Sequence, residues 1–204
     1  MWFTIESDLR FLSHRDTVRA VERAAARAKL PLRQTQGFNP HPVLSLPCPR
    51  PVGAASGAEL AVMEVTEPAG ADELPRRLNE QAPRGMTFTR ARRLEAKVSP
   101  QPARVDYEAP VAGEALAERV ERFNRAQTWP VERSASKRGR PGRTRRIDLK
   151  ALVCDLRVRA GRLRFSLVGD GQVWARPGEV LDAIGLDPRV DLARLVRTDV
   201  RFDL

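Results

Sequence analysis

A chain of 204 residues, 42% of them hydrophobic, can build one large core or two small ones, and its 36 lysines and arginines exceed its 26 acids to give a net charge of +10. Cys48 and Cys154 form neither a CxxC pair nor the three-cysteine spacing of an iron–sulfur cluster, no apolar run approaches the ~18 residues of a membrane span, and the N-terminus lacks the apolar core of a signal peptide. The expectation is a reduced, cytoplasmic protein with no metal, no cofactor and no membrane partner. The surplus is almost all arginine, whose planar fork suits phosphates and base edges, so the expected partner is a polyanion, most often nucleic acid. A codon bias toward arginine and alanine would account for part of the same surplus.

Residues 2–6 (WFTIE) form a β-prone run that Ser7-Asp8 breaks. Ser13 is a good helix N-cap, and Asp16 three residues on makes a variant capping box. Val18, Val21, Ala25 and Ala28 then recur at helical spacing as a buried stripe, while Arg15, Arg19, Arg23 and Arg27 recur every four residues on another face. Pro31 ends the helix. Residues 32–38 read as a second strand, with Gln34 and Gln36 alternating, and residues 37–42 (GFNPHP) as a rigid, proline-bracketed turn. Pro47, Pro49 and Pro51 punctuate an exposed connection to Gly53. Residues 59–65 read as a third strand, 72–81 as a short helix with Leu74 and Leu78 inward, and 86–94 as a fourth strand. This β-α-β-β-α-β order over residues 1–97 predicts a ferredoxin-like unit, an antiparallel sheet with both helices on one face.

Residues 98–104 read as a linker. Over residues 105–204 a similar order follows: strands at 105–109, 129–133 and 147–149, a hairpin of 152–158 and 163–168 turning at Ala160-Gly161, helices at 114–126 and 177–184, and a last strand at 195–201. The expected fold is therefore α+β, two ferredoxin-like units in tandem, the second decorated. Within it, residues 133–146 (RSASKRGRPGRTRR) hold seven basic residues and no acid and read as a loop.

In such a unit the first two strands run parallel, which would bring the helix start at Arg10, Ser13, His14 and Arg15 to one sheet edge with Asn39 and His41. Helix-start N–H groups, arginines, imidazoles and an amide would suit a phosphate or an RNA backbone turn. His14 and His41 would also suit acid–base cleavage of RNA, one imidazole taking the 2′-hydroxyl proton and the other protonating the leaving oxygen. The plain structural account of the same residues is a cap, an exposed first-turn histidine and a proline-shaped connection. Arg19 and Arg23 would extend a phosphate-contacting row along the helix. Lys137, Arg138, Arg140, Arg143, Arg145 and Arg146 of the basic loop would hold RNA by its phosphates.

The pieces Leu9-Arg10-Phe11-Leu12-Ser13-His14 with Asp16, Leu30-Pro31, Gly37-Phe38-Asn39-Pro40-His41-Pro42, then Ser45, Pro49, Pro51-Val52-Gly53, Ser56 and Glu59 follow one another in fixed order. In this the chain resembles the radical-SAM-associated (radical-SAM-linked) proteins, an uncharacterised family encoded beside, or fused to, cobalamin-binding-type radical SAM proteins. Trp129-Pro130-Val131-Glu132-Arg133, Ile147-Asp148-Leu149 and Arg176-Pro177-Gly178-Glu179-Val180-Leu181 look like that family's C-terminal half. Thr35-Gln36 departs from the aromatic and serine that its members often carry there, as Ala61-Val62 does from an acidic third-strand position. The resemblance implies a non-catalytic accessory to a radical SAM enzyme, with that enzyme and structured RNA, tRNA or rRNA, as partners. The chain has no CxxxCxxC motif of its own. A protein-only scaffold for the same enzyme is a further reading.

Overall fold

The computed structural model describes residues 1–67, 70–94, 99–113, 115–134, 144–171 and 173–203. In chain order the elements are β1 (Trp2–Ile5), a 3-10 turn (Ser7–Phe11), α1 (His14–Arg27), β2 (Leu44–Ser45), β3 (Ala55–Leu60), β4 (Val62–Met63), α2 (Glu73–Asn79) and β5 (Met86–Arg90). They continue with β6 (Gln101–Pro110), α3 (Ala115–Arg125), β7 (Pro130–Ser134), β8 (Thr144–Asp148), β9 (Val153–Arg159), β10 (Arg162–Val168), α4 (Pro177–Ala183), α5 (Pro188–Asp191) and β11 (Val196–Asp203). The fold is mixed α+β. Among the described residues no helix is long and apolar enough to cross a membrane. The chain divides into one compact unit of Met1–Ala103 with Val196–Leu204 and a second of Arg104–Leu195. The expectation had put the last strand in the second unit.

In the first unit β1 lies between β5 and β3, antiparallel to both. Strand alternation turns Phe3 and Ile5 inward beside Phe88 and Met86, and the Phe3 and Phe88 rings sit 5.5 Å apart. Val21, Ala24 and Ala25 of α1 pack on them, small side chains that let the helix lie close to the sheet. The helix ends where Lys29 takes a positive φ of 52° and the Leu30 N–H returns to the Ala25 carbonyl at 3.0 Å. Arg77 of α2 donates to the Ala28 carbonyl at 2.8 Å, closing the same terminus.

The neighbour of β3 on its other side is β11, which runs parallel to it with Arg197 opposite Ser56. The expected second strand is elsewhere. Residues 32–38 contribute only the isolated bridges Leu32 to Val65 and Gln34 to Pro42, and residues 33–41 are exposed. With Gln34, Gln36 and Gly37 this segment has no apolar side to bury. The sheet is therefore mixed, and the described elements do not assemble the two antiparallel ferredoxin-like sheets expected.

Two buried arginines organise the proline-rich connection. Arg197, 1% exposed, donates to the Glu59 carboxylate at 3.0 Å and to the carbonyls of Cys48 and Pro49 at 2.9 and 2.8 Å. Arg50, 7% exposed, donates to the carbonyls of Arg10 at 2.6 Å, Leu9 at 3.3 Å, Leu12 at 3.4 Å and Ala54. Gly53, at a φ of 99° that favours glycine, donates its N–H to Arg10 at 2.8 Å.

In the second unit β10 pairs with β6 and β9, both antiparallel, and β9 turns into β10 at Ala160 and Gly161, both at positive φ. Val105, Tyr107 and Ala109 are buried with Leu163, Phe165 and Leu167, and the Tyr107 and Phe165 rings stack at 5.3 Å. The alternate positions of the same strands are charged. Arg104 binds Asp106 at 2.7 Å and Asp155 at 2.5 Å, and Glu108 accepts from Arg164 at 2.6 Å and from Arg162. Burial pushes the Glu108 carboxyl up, but the bonds from Arg164 and Arg162 outweigh it and hold the group below the usual carboxylate range.

The C-terminal motif pieces meet here. Asp148 accepts from the Trp129 N–H at 2.7 Å. Arg133 grips Glu179 through two bonds of 2.9 and 2.7 Å, and Glu179 also accepts from the Arg176 N–H at 2.8 Å to box the start of α4.

Arg197→Met strands the Glu59 carboxylate in the interior and should cost about 3–5 kcal/mol in urea unfolding, whereas Arg197→Met with Glu59→Leu should cost less than the single change. Because Glu108 is depressed in the folded state, its contribution is complete above its unfolded pKa of about 4.3 and lost as pH falls through the lower folded value. The stability gap between the native chain and Glu108→Gln should accordingly be widest near neutrality and close in acid.

Candidate nucleic-acid interface

The helix start is a finished cap. The Ser13 hydroxyl accepts the Asp16 N–H at 3.2 Å and donates to the Asp16 carboxylate at 2.7 Å, and Thr17 donates its hydroxyl to the Ser13 carbonyl at 2.9 Å. An anion approaching the first turn meets the Asp16 carboxylate already there. His14 and Arg15 are exposed beside it. Arg10 donates to the Ser7 carbonyl at 3.0 Å, Arg19 reaches Asp16 at 3.4 Å, and Arg23 is exposed. What meets this helix start is the 50–53 stretch, through Arg50 and Gly53.

The GFNPHP turn lies at the other end of β1. Residues 31–45 and 62–66 form a small β-clasp in which the Arg33 N–H donates to Glu64, Glu64 to Val43 and Val43 to Arg33, at 2.9, 3.0 and 2.8 Å. Thr66 donates its N–H and hydroxyl to Pro31 at 2.8 and 3.1 Å. Above this base, Thr35 and His41 close the hairpin with bonds of 2.8 and 3.0 Å. Gly37 takes a φ of 132°, which disfavours any side chain, and Pro40 and Pro42 stiffen the return. At the tip Phe38 is fully exposed, at 106%, with Asn39 and His41 also exposed.

The hairpin base borders a groove of about 870 Å³ within the first unit, where Thr35 and Pro42 face Met1, Trp2, Arg92 and Arg93. Trp2 is half-buried, and the Arg90 guanidinium lies over its ring at 4.1 Å. Arg33 also lines the groove but is paired with Glu64 at 3.0 Å, which leaves exposed Arg92, Arg93 and Glu67 among the described lining charges.

Among the described residues no hydrogen bond or ion pair joins Ser13 or His14 to Asn39 or His41, the expected corner. The turn that leads into the helix start is bonded to Arg50 and Gly53, whereas the GFNPHP hairpin is bonded at its base to residues 62–66. In the basic segment β7 and β8 pair up to Ser134 and from Thr144, so Arg145 and Arg146 stand exposed on a strand rather than in a loop. Lys137, Arg138, Arg140 and Arg143 lie outside the described residues. Sequence reasoning passed over Phe38, Arg92 and Arg93. The available signal was an aromatic inside a Gly-Asn-Pro turn with no apolar partner at strand or helix spacing.

Residues 1–177 match a family model described as an uncharacterized protein conserved in bacteria (DUF2344). No curated protein matches the chain.

Ser13→Ala removes a working cap and should cost about 1 kcal/mol in thermal or urea unfolding. His14→Ala and His41→Ala, at exposed positions, should each stay within about 0.5 kcal/mol of the native chain.

Proposed function

The chain belongs to the DUF2344 family of uncharacterized proteins conserved in bacteria, and we propose that it is a non-catalytic accessory protein that binds structured RNA, tRNA or rRNA, for a radical SAM partner. The partner comes from the resemblance of the 9–59 motifs to radical-SAM-associated proteins. The RNA comes from the chain's own chemistry. One observation carries it: a hairpin locked at its base by main-chain bonds holds an aromatic, an amide and an imidazole clear of the protein surface, beside a groove edged by Arg92 and Arg93. Ordering a loop before its ligand arrives lowers the entropy lost on binding. Exposed Arg15 and Arg23 on α1, Arg145 and Arg146 on β8, and the basic residues of 135–143 supply further phosphate contacts.

Freshly purified protein should carry absorbance at 260 nm, and a bulk tRNA or rRNA fragment should bind with an affinity that falls steeply with salt. Replacing Arg138, Arg140, Arg143 and Arg145 by serine should weaken binding and flatten the plot of log affinity against log salt by about 0.7–0.9 for each phosphate no longer neutralised. Equal affinity and slope in the replaced protein would remove that segment from the interface. Stable co-purification with a radical SAM protein and no nucleic acid would favour the protein-only scaffold instead.

A further inference from the structure

We propose that the Phe38 hairpin and its groove form a site for an unpaired nucleotide, with the base stacked on the Phe38 ring and the adjoining phosphates held by Arg92 and Arg93. The inference rests on the RNA reading above and adds which form of RNA the site takes.

The hairpin is built to hold one side chain in place. Its base is tied into the clasp at Arg33, Val43 and Glu64, its neck is closed by Thr35 and His41, and its tip is shaped by Gly37 and Pro40. Phe38, which all this positions, is fully exposed and packs against none of the described residues. Leaving a phenyl ring in water forgoes about 1.5–3 kcal/mol of burial.

The surroundings of the ring decide between a base and a protein pocket. A protein-docking anchor sits within a contiguous apolar patch that excludes water. Here the neighbours are Gln36, Gly37, Asn39 and His41, all exposed. Stacking needs one aromatic face only, because every base has a π-face, and amide or imidazole groups at its edge can bond the base. A duplex hides its bases from such a ring, so the ligand is single-stranded, a loop, bulge or end.

The groove completes the site. Thr35 and Pro42 flank the tip and line the groove together with Arg92 and Arg93. A strand whose base rests on Phe38 would carry its backbone along those two guanidiniums. Arg90, laid over Trp2, adds positive charge at the same end of β1.

The test uses the full chain and three probes: a short single-stranded RNA, the same sequence as a duplex, and heparin. Phe38→Ala should weaken single-strand binding about 10-fold, with the salt slope unchanged and with heparin and duplex binding within about twofold of the native chain. Phe38→Trp should restore the affinity, and single-stranded RNA should quench its added fluorescence. Arg92→Ser with Arg93→Ser should lower the slope by about 1.4, for two single-strand phosphates. If the native chain binds the single strand and Phe38→Ala binds it equally well, this site is wrong while the RNA reading stands. If the native chain binds none of the RNAs, both fall. Loss of a radical SAM partner on Phe38→Ala, with RNA affinity intact, would assign the ring to a protein pocket and overturn the proposal.

Discussion

A guanidinium taken out of water must be given acceptors, and in the first unit two of them are buried against the same short stretch of chain. Arg197 binds the Cys48 and Pro49 carbonyls while paired to Glu59. Arg50, one residue on, faces the other way and binds the carbonyls of Leu9, Arg10 and Leu12. Losing the cation would leave a carboxylate or a set of main-chain oxygens buried without a donor, which is far more costly than never having buried the pair. The stretch 48–53 is thereby held between the C-terminal strand and the 3-10 turn that leads into α1. That turn precedes α1, whose Val21, Ala24 and Ala25 cover the core.

That constraint sets apart the two motifs that carry the chain's histidines. The 3-10 turn that leads into Ser13-His14-Arg15-Asp16 is bonded to Arg50 and Gly53, and Ser13 and Asp16 spend their polar groups on the helix cap. The GFNPHP turn receives the opposite treatment. Its base and neck are tied by main-chain bonds, and its side chains are exposed. Polar groups that satisfy one another stabilise a fold, whereas exposed side chains that pack against none of the described residues are available to a ligand. On the proposed reading the hairpin is the recognition element and the cap is structural.

Local elements were legible in the sequence where a short-range pattern decides them. The Ser13 cap, the α1 stripe of Val21 and Ala25, the Leu78 side of α2, the alternation of β6 and β10 and the Ala160-Gly161 turn all lie where periodicity and turn chemistry put them. Long-range pairing was not legible. Nothing in residues 196–203 announces that Arg197 is an interior residue whose carboxylate lies 138 positions earlier in the chain, or that this strand rather than residues 32–38 flanks β3. A buried arginine reads in sequence as a solvated one. The same limit hid the bond between Arg133 and Glu179, which unites two motif pieces that spacing alone leaves unrelated. At the candidate site the turn was legible as unusual, but its anchoring in the clasp formed with residues 62–66 is again a non-local event.

On the proposed reading, RNA meets this protein at the hairpin tip. Ultraviolet cross-linking of bound single-stranded RNA to the full chain, followed by tryptic mapping, tests this most directly, because cleavage after Arg33 releases the tip in one peptide beginning at Gln34. The expected result is a nucleotide adduct on that peptide, at Phe38 or its immediate neighbours. Adducts confined to peptides outside both the hairpin and the 91–94 edge of the groove would contradict it.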